Sequence, residues 1–183
     1  MLYLFLAGVL AVYPGEPGDW LCPGSPVESN HWAQVEALAL EDCANVRREV
    51  LARVDLQARG RWHDPHGAGI YGVLERSQPR SLLLARTDHN SNDLIGFTFT
   101  DAHSSQYGAA CTIRGCSQSQ LFAAVLDDSD QYCNVRMLYC GRAEGCQPVH
   151  FDLHGQEVSV QTSPGGGKDR QRCMRPSSGM FAG

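Results

Sequence analysis

Eight cysteines spread through 183 residues, behind a hydrophobic opening, restrict the folds open to this chain more than any other feature. They stand at Cys22, Cys43, Cys111, Cys116, Cys133, Cys140, Cys146 and Cys173. An even count in an extracellular context reads as a disulfide framework of up to four bridges. Residues 1–13 contain an apolar run of about 12 residues, the length of a signal-peptide core and short of the roughly 20 that span a bilayer. The expectation is therefore a secreted protein without stable membrane insertion. Residues 1–18 are read as signal peptide and start of the leader, 19–30 as a Pro/Gly-rich leader, 31–173 as one domain and 174–183 as a flexible tail.

Zinc is the competing use of the thiols. Cys111-x4-Cys116 and Cys140-x5-Cys146 are looser than the C-x2-C pair of a zinc site, so bridges are expected instead. About 165 residues remain after cleavage, enough for one domain with a real core that the bridges reinforce. The 20 acidic residues outnumber the 15 basic ones. That balance argues against nucleic acid as a partner. Lys168 is the only lysine, and the arginine-rich remainder reads as compositional bias.

Hydrophobic periodicity predicts a long helix from an Asn30 cap to Gly60, with Trp32, Val35, Ala39, Cys43, Val46, Val50 and Val54 on the buried stripe. Cys43 on that stripe would staple the helix to the core. Beyond Gly60 the period becomes alternating, predicting strands over 70–76, 81–87 and 94–100 joined by turn-rich segments, a meander with one packed face. Further strands are expected over 132–140 and in a hairpin of 149–153 with 156–161 turning at His154-Gly155. Residues 121–126 fit strand or helix equally. The fold class that follows is α+β: one long N-terminal helix packed on a curved antiparallel β-meander, stabilised by disulfides.

This layout resembles the cystatin and NTF2-like arrangements, in which a sheet curls around a helix. Cystatins enter protease clefts with a Q-x-V-x-G hairpin. Gln156-Glu157-Val158-Ser159-Val160 carries the glutamine and valine but lacks the glycine. The resemblance implies a fold and, as a lesser alternative, protease inhibition.

Three polar groupings could carry chemistry. Trp62, His63, Asp64 and His66 form the densest, with two imidazoles and a carboxylate beside an aromatic ring where helix meets sheet. They are the candidate ligand-binding residues. His63 and His66, with His89 or His103 from loops, would be the ligands of a metal ion, the one cofactor the sequence allows. The competing structural reading makes Asp64 an Asx-turn before Pro65 and packs Trp62 on the core. His150, Asp152 and His154 would share one face of a strand, unless the hairpin turn removes His154. Asp127-Asp128-Ser129-Asp130 reads as a solvated turn, since it lacks the glycine and final glutamate of a calcium loop. Gly165-Gly166-Gly167-Lys168 lacks the spacing of a phosphate loop, and Gly115-Cys116-Ser117 is not a nucleophile elbow.

Two functional classes remain. The first is a non-catalytic secreted binding module for an unknown extracellular protein, carbohydrate or small apolar ligand. The second is a small metal-dependent protein or hydrolase centred on the Trp62–His66 loop.

Overall fold

The computed structural model describes residues 31–67, 69–88, 91–104, 108–120 and 127–175, apart from the side chains of 103, 104 and 109. The expected signal peptide and leader, the Asn30 cap, Cys22, His89, the side chain of His103, segment 121–126 and the tail beyond 175 lie outside the described residues. Six antiparallel strands, β1 Trp32–Ala39, β2 Ile70–Glu75, β3 Ser81–Thr87, β4 Asn92–Ser104, β5 Gly108–Ser119 and β6 Gly155–Thr162, form one sheet. Their order is β2-β3-β4-β5-β1-β6. Two helices, α1 Cys43–Gln57 and α2 Asp130–Arg136, complete an α+β fold.

The long helix expected from 30 to 60 is two elements. Trp-Ala-Gln-Val-Glu-Ala-Leu-Ala satisfies period two as well as the helical period, and Ala33, Val35, Ala37 and Ala39 are all buried. Pairing decides between the two periods, because β1 is bonded to β5 along one edge and β6 along the other. A central strand satisfies its backbone groups on both sides, which overrides the helix propensity of alanine and leucine.

The helix starts later, where Asp42 Oδ1 accepts from Asn45 N at 2.7 Å. Cys43, Val46, Val50 and Val54 point at the sheet, and Cys43 is bridged to Cys111 on β5. Gly60, at φ +65°, stops the helix, and Arg61 N donates back to Leu56 O. Asp42→Ala removes the cap and is expected to cost about 1 kcal/mol in thermal or urea unfolding.

Strands β2, β3 and β4 each pair with the next in sequence. Leu82, Leu84, Ile95, Phe97, Phe99 and Ile113 give the sheet its buried face. Gln57 closes part of the free β2 edge, its Nε2 donating to Gly69 O and its Oε1 accepting from Tyr71 N, each at 2.9 Å. Such a cap blunts an edge that would otherwise pair with another chain.

The strand expected at 132–140 is instead α2 with its following turns. Residues 131–140 are buried throughout, so no exposed positions mark a helical period. Gly115 lets this helix approach β5, since a Cβ there would sit 2.3 Å from Val135 Cγ1. The expected hairpin at His154-Gly155 is absent: 149–154 is irregular, and β6 pairs along β1. Gln156 to Val160 therefore lie within a paired strand and are not presented at a turn.

Disulfides link Cys133 to Cys173 and Cys140 to Cys146, and Cys116 is bridged to a partner outside the described residues. The thiols of the two loose zinc-like spacings are thus consumed in bridges. Arg136, Arg170, Tyr132 and Tyr139 all meet the Glu157 carboxylate, fastening β6 to α2 and to the C-terminal segment. Burial opposes ionisation of Glu157, but Tyr139, Arg136, Arg170 and Tyr132 together hold its carboxyl below the usual range.

Candidate functional site

The corner after α1 separates its four candidate residues. Trp62 is buried and donates from Nε1 to Gln147 O at 3.0 Å. Asp64 forms an Asx-turn, its Oδ1 accepting from His66 N at 2.9 Å, while its Oδ2 accepts from the Tyr71 hydroxyl at 3.0 Å. His66 is buried, with Nε2 3.0 Å from Asp130 Oδ1. His63 is exposed, so the two imidazoles face different surroundings. Among the described residues no group of three or more His, Cys, Asp or Glu side chains has metal-holding geometry.

Asp64 and His66 belong to a wider network under one end of the sheet. Tyr71 comes from β2, Arg86 from β3, Asp93 from β4, Ser117 from β5, and Gln131 and Asn134 from α2. Asp93 accepts from Gln131 Nε2 at 3.0 Å and Asn134 Nδ2 at 2.9 Å, and Ser117 Oγ donates to Gln131 Oε1 at 2.7 Å. Arg86 lies 3.6 Å from Asp64 and 4.0 Å from Asp93. Burial raises the pKa of both aspartates, and Arg86 moderates the rise.

Asp127 accepts from Gln131 N at 3.0 Å and is only 2% exposed, so the segment read as a solvated turn buries its first carboxylate. Desolvation pushes the Asp127 carboxyl up to about 7, with the charges of Asp130 and Asp93 adding to the rise. Hydrogen bonds already engage most of these groups, an arrangement that stiffens a core.

The segment 149–154 also differs from expectation. The backbone N–H groups of Val149, His150 and Phe151 converge on the Glu49 carboxylate at 2.7, 2.7 and 2.9 Å. Arg53 bonds Glu49 at 2.9 Å and donates to Met137 O and Cys140 O at 2.8 Å each. Asp152 accepts from Arg142 N at 2.7 Å, and His150 and His154 are exposed, so the three form no common face.

An open groove of about 1070 Å³ runs along the outer side of α1. Leu51, Ala52 and Leu56 of the helix, with Pro79 and Val149, supply apolar surface, and Arg47, Arg48, Arg59 and Arg61 supply charge. Among the described residues Asp55 is the only acid lining it. Arg47 is held by a 2.6 Å bond from Nη2 to Arg76 O, and Arg48 lies over the Phe151 ring, 5.4 Å from its centroid. None of the four forms an ion pair among the described residues, whereas Arg53, Arg80, Arg86, Arg114, Arg136, Arg142, Arg170 and Arg172 all do.

The sequence reading missed this site. The available signal was the spacing of Arg48 and Arg59, about three helical turns apart and hence on one face. A smaller hollow of about 390 Å³ beside Leu38, Leu40 and Leu153 has Glu144 as its one carboxylate, which is already bonded to Arg136 and Gly141 N. No family model, curated protein or solved structure matches the chain.

Proposed function

We propose that this chain is a secreted, disulfide-stabilised binding module that takes an extracellular ligand in the groove along α1 and performs no catalysis. The observation that carries the reading is the grouping around an apolar floor of four arginines that form no ion pair among the described residues. The groove exceeds the few hundred Å³ needed for a small molecule, and its helical wall is braced from behind by the Glu49–Arg53 pair. Bridges at Cys43–Cys111, Cys133–Cys173 and Cys140–Cys146 suit an oxidising compartment. Among the described residues no helix is long and apolar enough to cross a membrane.

Native mass spectrometry of protein secreted from a eukaryotic host tests the reading. The expected result is the mass of a fully bridged chain with no metal adduct. A chelator-removable metal ion, lost on replacing Asp64 and His66 by asparagine and glutamine, would overturn it in favour of a metal-dependent protein at the Trp62–His66 corner.

A further inference from the structure

We infer that the groove's occupant is an acidic peptide segment of a partner protein, with carboxylates set on either side of apolar residues; this rests on the binding-module reading. Guanidinium groups match carboxylates in paired hydrogen bonds, a fit that a lysine-lined surface does not offer. Arg47 and Arg48 occupy one end of the groove, and Arg59 and Arg61 the other. Arg48 is on α1 and Arg59 stands eleven residues later, in the turn that follows the helix, a span of roughly 17 Å at the helical rise. An extended peptide covers that distance in about five residues, which sets the spacing of the acidic positions it must carry. Between them Leu51 and Leu56, both half-buried, offer the floor to an apolar side chain.

The lining also discriminates against other polyanions. Single-stranded nucleic acids stack their bases on aromatic rings, and sugar rings use the same platforms. Among the described residues no phenylalanine, tyrosine or tryptophan lines this groove, and the nearby Phe151 ring is covered by Arg48. The arginines stand out against a chain of formal charge −5, so the local field favours an acidic partner that the remaining surface repels.

Selection from a displayed library of random dodecapeptides against the secreted protein tests the inference. Enriched peptides are expected to carry Asp or Glu flanking apolar residues, and to lose about tenfold in affinity with each of Arg48→Gln and Arg59→Gln. Neutral peptides that ignore these changes but are lost with Leu51→Glu would overturn the acidic class and leave the groove as the binding site. Sulfated dextran bound through Arg59, with no peptide enriched, would do the same. Peptides indifferent to all three substitutions, or no binding of any probe, would overturn the groove reading as well. Circular dichroism of each variant separates lost binding from lost fold.

Discussion

Replacing Glu49 with alanine is expected to lower unfolding stability by about 3 to 5 kcal/mol, the cost of breaking a buried ion pair by removing one partner. Both side chains of the Glu49–Arg53 pair are inaccessible to solvent. Alanine would leave a buried guanidinium without its carboxylate, and three backbone N–H groups at Val149, His150 and Phe151 without an acceptor. A typical domain has only about 5 to 15 kcal/mol in hand, so the loss is a large share of the whole.

Urea denaturation of Glu49→Ala, Arg53→Met and the Glu49→Leu/Arg53→Met pair provides the measurement. The double variant should lose much less than the sum of the singles, because it removes the stranded charge. A single-variant loss below about 1 kcal/mol would show that Glu49 does not organise the 149–151 segment. Burial alone would raise the Glu49 carboxyl, but the N–H groups of Phe151, Val149 and His150, with Arg53, hold it below 4.5. Its contribution is thus present above the unfolded value and lost as the pH falls through the folded one.

Asp127 imposes the opposite pH dependence. Its carboxyl moves from 3.8 to about 7 on folding, chiefly through burial. Below about pH 4 both folded and unfolded chains hold the proton, between about 4 and 7 only the folded chain does, and above about 7 neither does. Stability should fall by about 1.4 kcal/mol per pH unit across that window, up to about 4 kcal/mol in all, and then level off. Glu49 and Glu157 act in the opposite sense, their contributions fading in stronger acid, so the three groups together are expected to favour mildly acidic pH.

Asp127→Asn keeps the acceptor for Gln131 N and removes the charge. It is expected to stabilise the protein by about 2 to 4 kcal/mol at pH 8, with a smaller gain at pH 5. Chemical denaturation at several pH values measures this. A variant whose stability runs parallel to the wild type from pH 5 to 8 would show that Asp127 is not the group responsible.

Local chemistry made part of this architecture legible. Strands expected over 70–76, 81–87 and 94–100 correspond to β2, β3 and the central part of β4, because alternating apolar residues and strong turn formers bound each one. Strand β1 was not legible, since its alanines and valine fit either period and only the distant β5 and β6 decide between them. Nor was α2, whose burial on every side erases the contrast that periodicity needs. At the corner, the Asx-turn of Asp64 and the packing of Trp62 followed from neighbours in sequence. The placement of Arg86, Asp93 and Asn134 beside them depends on strand and helix packing across the chain. The groove arginines were visible as residues, but the wall facing them, Pro79 and Val149, comes from remote segments.

The central position of β1 bears on how the chain is made. Val35 is paired with Gly115 on one side and Val160 on the other. A chain emerging from the ribosome cannot finish this sheet from its N-terminal end. The β2–β5 meander can assemble through contacts between successive strands, while β1 waits first for β5 and then, with one edge still open, for β6. Such long-range closure slows folding and prolongs the exposure of aggregation-prone edges. Cys43 can reach its native partner only after Cys111 has emerged, and Cys133 must remain available until Cys173 follows. Translation arrested before residue 155 would therefore leave β1 without its last neighbour and Cys133 without its native mate.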